Sequence, residues 1–102
     1  MNKKLASMKK EIQKHIAFGS ELEEARQIME ANGFKCQLME RSSFAEREED
    51  DHPLPIHLDI DFLYCDKERA SGLFCTRRWQ IAIVQKNMRV SDVFVAITRT
   101  CP

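Results

Sequence analysis

The stretch Ile56-His57-Leu58-Asp59-Ile60-Asp61-Phe62-Leu63-Tyr64-Cys65 alternates apolar and polar side chains almost without error. Strand side chains point to opposite faces with a period of two, so this reads as a β-strand with one dry face and one wet face. On that reading Ile56, Leu58, Ile60 and Phe62 face a core, while His57, Asp59 and Asp61 face water. The pattern returns around Trp79-Gln80-Ile81-Ala82-Ile83 and Val93-Phe94-Val95-Ala96-Ile97. A strand from Phe34 to Glu40 is expected before them, with Phe34, Cys36 and Leu38 on one face. The polar segment Asp66 to Gly72 reads as a turn or wide hairpin, and Lys86-Asn87-Met88-Arg89 as the next tip. Such short connections favour antiparallel neighbours.

The first third of the chain carries helical spacing instead. Leu5, Met8, Ile12 and Ile16 form one narrow stripe, with Gly19 as a plausible stop. Ser20-Glu21-Leu22-Glu23 has the form of a capping box, in which Ser20 would accept from a backbone N–H and Glu23 would reach back. A second helix is expected from about Glu21 to Ala31, burying Leu22, Ala25, Ile28 and Met29, and leaving through Asn32-Gly33 in a left-handed conformation. The fold class that follows is α+β: two N-terminal helices packed on one face of a four-stranded antiparallel meander. The 102 residues form one domain, with a basic N-terminal helix over 1–18 and a long acidic loop over 41–55 that ends in Pro53-Leu54-Pro55.

Sixteen basic and sixteen acidic residues cancel, which removes any general electrostatic argument for nucleic acid or an anionic surface. The signs are segregated, however: the segment 1–17 is basic, Glu21 to Asp61 is acidic, and Arg77 to Arg99 is basic again. No apolar run approaches the roughly 18–20 residues that span a bilayer. The opening Met1-Asn2-Lys3-Lys4-Leu5 resembles the charged start of a signal peptide, but Lys9, Lys10, Glu11 and Lys14 interrupt the apolar stretch that should follow. As written, the chain is expected to stay in the cytoplasm; removal of a leader would place it in the envelope or periplasm.

Cysteines stand at 36, 65, 75 and 101, none in a C-x-x-C pair. The expectation is four free thiols acting as small buried hydrophobes, with Cys36 the most protected. A Cys65–Cys75 bond is disfavoured by parity, because the two would project to opposite faces. No zinc-ligand spacing occurs and no cofactor motif is present, so neither a metal nor a cofactor is expected.

Candidate sites are few. His57, Asp59 and Asp61 share a strand face, at steps of about 7 Å that do not suit a shared ion without help from another strand. They read first as a solvent face and second as the polar site of a small metal-dependent or hydrolytic enzyme beside the acidic loop. Arg77-Arg78-Trp79 with Lys86, Arg89 and Arg99 suggests a basic surface for stacking on bases, but Trp79 has the parity of Ile81 and Ile83 and belongs to the core, so nucleic-acid binding is not expected. One feature favours association. Ala82, Val84, Phe94 and Ala96 would lie on the sheet face away from the helices, where polar residues are usual. Either the 41–55 loop or the first helix covers them, or they form an interaction patch through which the protein self-associates or binds a protein partner.

The order of parts carries a resemblance. Gly19-Ser20-Glu21-Leu22-Glu23-Glu24-Ala25, closing at Gly33, resembles the helix opening of small bacterial envelope domains. Trp79-Gln80-Ile81-Ala82-Ile83-Val84, the tip at Asn87 and Val90-Ser91-Asp92-Val93 resemble their penultimate strand and final hairpin. These are the β-lactamase-inhibitor-protein-like and SmpA/OmlA-like lipoprotein domains, and the likeness covers roughly residues 19–99. It implies two helices against an antiparallel sheet and a non-catalytic module that binds other proteins or scaffolds assemblies.

Overall fold

In the computed structural model, which describes residues 3–47 and 54–101, the alternating stretch belongs to a strand much longer than its pattern suggests. The elements are α1 (Lys3–His15), α2 (Leu22–Ala31), β1 (Lys35–Ala45), β2 (Ile56–Ser71), β3 (Cys75–Lys86) and β4 (Arg89–Thr100). All four strands pair antiparallel in the order β1-β2-β3-β4, as a meander should. The polar segment after Cys65, expected as a turn, instead extends β2 to Ser71 and leaves only Gly72, Leu73 and Phe74 in the connection. The strand expected to end at Glu40 also runs on, to Ala45, so the first five residues of the expected 41–55 loop belong to β1. Residues 48–53 of that loop lie outside the described residues, as does the side chain of Leu5.

The helices cover one face of the sheet. Ile16, Leu22, Ala25 and Met29 pack on Leu63, Cys65, Ile81, Ile83, Val93 and Val95, with Met8, Ile12, Ile28 and Phe34 at the margin. The left-handed exit of α2 occurs at Gly33, φ 89°. The capping box does not form. Glu21 is the N-cap without a side-chain bond, and the Ser20 hydroxyl donates to the Ala17 carbonyl. The cause is tertiary: the Leu22 N–H donates to the Met88 carbonyl at 2.9 Å, while Val90 N–H donates to Ser20 O at 2.9 Å and Gly19 N–H to Val90 O at 2.8 Å. The linker between the helices thus lies along the outer edge of β4 and satisfies its backbone there.

The second face is closed by a bend. Arg41 and Asp59 have φ of 45° and 54°, and the β1–β2 register slips between Met39 and Ser42 and again between Ser42 and Phe44. Bulges bend a strand and raise its twist. Here they carry the far ends of β1 and β2 over the outer face, so that Arg47 bridges in parallel to Ala96 on β4, with the Ile97 N–H donating to Arg47 O at 2.7 Å. Phe44 and Phe62 meet edge to face at 6.0 Å, and with Ala82 and Ala96 make a second buried cluster.

The bulge at Asp59 inverts the opening expectation. N-terminal to it, the supposedly dry residues Ile56 and Leu58 are 65% and 71% exposed, whereas His57 is turned inward. C-terminal to it both faces are dry: Phe62 is buried in the outer cluster, and Leu63 and Cys65 under the helices.

The expectation of free thiols is also corrected. Cys36 bonds Cys65 and Cys75 bonds Cys101, with Cα separations of 4.1 and 4.2 Å, and no described cysteine is free. Cys36 faces Cys65 directly across β1 and β2, and Cys75 lies beside Cys101 at the end of β3 and β4. Nor does parity separate Cys65 from Cys75, as was expected: Cys65 pairs with Ile81 and so shares the helix-side face with Trp79 and Cys75. The two are instead held apart along the β2–β3 ladder, and register places each beside another partner.

Candidate functional site

The helices do not cover their whole sheet face. Toward the β2–β3 turn the layer thins, and a cleft of about 370 Å³ opens between α1, α2 and the sheet. Met8 and Ile12 of α1, Ile28 of α2, Phe34 and the half-buried Trp79 form its apolar wall. Its rim is polar: Glu11 and His15 on one side, Lys67 and Arg69 of β2 on the other. That size and make-up, a mostly apolar recess with a few converging polar groups, suits a ligand or a partner's side chains.

The sequence places the rim cations by alternation. In Asp66-Lys67-Glu68-Arg69 the acids and bases take opposite faces of β2. The acids point to the outer face, where Arg78 meets Asp66 at 2.8 Å and Glu68 at 3.7 Å. The hydrogen bond to Asp66 pushes the Arg78 guanidinium above its already high ordinary pKa, against the lowering effect of burial. Gln80 Nε2 donates to the Tyr64 hydroxyl at 2.6 Å beside this pair. The bases remain on the cleft side. Lys67 Nζ donates to the Asn32 carbonyl at 2.8 Å and lies 5.5 Å from the centre of the Phe34 ring, so it ties the C-terminal end of α2 to the sheet. Arg69 makes no ion pair among the described residues and is exposed.

The polar set expected on β2 does not converge. His57 Nε2 lies 3.1 Å from Glu46 Oε2, and its ring stacks on Phe94. Asp59 is the exposed bulge residue, and Asp61 accepts the Arg41 backbone N–H at 2.8 Å. Among the described residues no group of three or more His, Cys, Asp or Glu side chains stands where it would hold a metal ion. The apolar patch does come together, since Ala82, Val84, Phe94 and Ala96 all join the outer cluster. It is covered, however, by Phe44, Phe62 and the bent ends of β1 and β2, and Ala82 and Ala96 are fully buried.

Sequence reasoning missed the cleft because it ended β2 at Cys65. A signal was present in the sign alternation at 66–69, which continues the strand period. No family model matches the chain, and no curated protein or solved structure matches it. No helix among the described residues is long and apolar enough to cross a membrane.

Proposed function

We propose that this protein is a non-catalytic interaction domain and that it receives its partner in the helix–sheet cleft beside Trp79. The observation that carries this reading is the cleft itself: an apolar wall with Lys67 and Arg69 at one side of the rim. Its complement is a protein segment that presents apolar side chains next to a carboxylate. The enzyme reading has weaker support, because His57, Asp59 and Asp61 are occupied separately, by Glu46 and Phe94, by a bulge, and by the Arg41 backbone. Self-association through Ala82, Val84, Phe94 and Ala96 gives way to the cleft, since those residues pack inside the chain.

The two disulfides support residence in an oxidising compartment, the envelope or the exterior of a cell. That placement fits the resemblance to small envelope domains, which we keep as part of this proposal.

The chain's one tryptophan reports on the cleft directly. Peptides alternating Leu and Glu should shift Trp79 emission in a saturable way, and their Leu-Lys counterparts should not. Ile28→Glu, which places a charge in the apolar wall, should abolish the response. Decanoate saturating the same signal while the peptides leave it unchanged would replace the protein partner with a small amphiphile. No saturable response to either would remove the cleft as a binding site.

A further inference from the structure

The β2–β3 turn presents a second feature, which shares only Arg69 with the rim of the cleft. Leu73 and Phe74 stand at its tip, 92% and 75% exposed, the most exposed large apolar side chains described. Behind them, register places Arg69 opposite Arg77 and Arg77 opposite Arg99, three arginines in one row across β2, β3 and β4. Directly opposite residues share a face, and this is the helix-side face that carries Trp79. The carboxylates of this end, Asp66 and Glu68, project to the other face and are met by Arg78. Glu11, at the cleft rim with Arg69, is engaged with Lys14 and His15. Arg69 and Arg99 are exposed, and Arg77 is half-buried with a contact of its own.

We propose that this tip docks on an anionic lipid bilayer, with Leu73 and Phe74 entering the headgroup boundary and the arginine row meeting lipid phosphates. The spacing supports it. At a strand rise of about 3.3 Å per residue the row, three to four residues from Phe74 and Leu73, lies roughly 10–13 Å behind the tip. A tip sunk about 5–10 Å therefore brings the arginines to the level of the phosphates. The Cys75–Cys101 bond sits between tip and row and ties β3 to β4 there. The element is therefore held in shape before it binds, which lowers the ordering cost of association. The tip pairs Phe74 with the aliphatic Leu73, whose exposed surface a lipid boundary buries and base stacking does not use, which favours lipid over nucleic acid. The proposal does not depend on the cleft being a partner site.

Co-sedimentation with vesicles of phosphatidylcholine and phosphatidylglycerol, mixed two to one, tests it against pure phosphatidylcholine vesicles. The expected result is binding to the mixed vesicles alone, weakening as salt rises. Leu73→Ser with Phe74→Ser should weaken it at least about tenfold through lost apolar burial. Arg69→Gln with Arg99→Gln should weaken it roughly tenfold to thirtyfold. All four positions are exposed, so thermal unfolding of these variants should match that of the parent. As an independent reading, Phe74→Trp in a Trp79→Phe background should be quenched by brominated lipid in mixed vesicles. No binding, equal binding to both vesicle types, or an unquenched tryptophan each overturns the proposal. So does heparin binding that the arginine changes abolish and the Leu73 and Phe74 changes leave intact, which would make the row a polyanion site instead.

Discussion

The imidazole of His57 lies flat on the ring of Phe94, with centroids 3.5 Å apart and planes within 4°. The two residues come from strands that are not neighbours in the sheet. Their contact exists because the β1–β2 hairpin bends over the outer face, and Glu46, 3.1 Å from the imidazole, holds the other side of the pair. Phe94→Asp therefore tests the fold and not an interface. It should destabilise by about 3 kcal/mol or more, through lost aromatic packing and a charge set against Ala82 and Ala96. Chemical unfolding checks the loss, and sedimentation should show no change in mass between parent and variant.

The bulge at Asp59 offers a gain of stability. A non-glycine residue at φ 54° sits in the left-handed region, which glycine enters without a Cβ penalty. Asp59→Gly should cost little, or stabilise by up to about 1 kcal/mol, whereas Asp59→Val should destabilise by about 1–2 kcal/mol. Urea midpoints at unchanged m-value distinguish the two. A loss with glycine comparable to that with valine would mean that the Asp59 side chain, and not the backbone, holds the bend.

Gly33 tests the attachment of α2 to the sheet. A Cβ there would meet Lys67 Cε at 3.3 Å, on a backbone with φ of 89°. Gly33→Ala should destabilise by roughly 1–2 kcal/mol from the left-handed strain alone. Because the Lys67 side chain must then give by a few tenths of an ångström at the cleft rim, the change should also alter Trp79 fluorescence.

The cysteines give the most direct check. Unreduced, denatured protein should show no titratable thiol, and reduced protein four. Closing loops with sequence separations of 29 and 26 residues is worth about 3–4 kcal/mol each in the chain-entropy account. Cys75→Ala with Cys101→Ala should lower stability by an amount of that order. It should also loosen the β2–β3 end, read as faster amide exchange at Arg77 and Arg99.

The sequence by itself determined the local elements and their order. The Met8–Ile12–Ile16 spacing, Gly33 after α2, and the period-two runs in β3 and β4 act through neighbours along the chain, and the antiparallel meander follows from short connections between them. What happens at Asp59 is not local. A bulge shifts every side chain beyond it to the other face, so Ile56 and Leu58 face water and His57 faces Phe94, although the alternation in the sequence never breaks. The same holds for the thiols: which cysteines face each other depends on register between strands, and register is set by turns and bulges and not by cysteine spacing. Ser20 shows the principle at a helix end. Its motif reads as a cap, yet the carbonyl of Met88, nearly seventy residues away in sequence, takes the N–H of Leu22 at the start of α2. The cleft and the arginine row likewise exist only once β2 reaches Ser71 and its cations align with Trp79, Arg77 and Arg99 across the sheet.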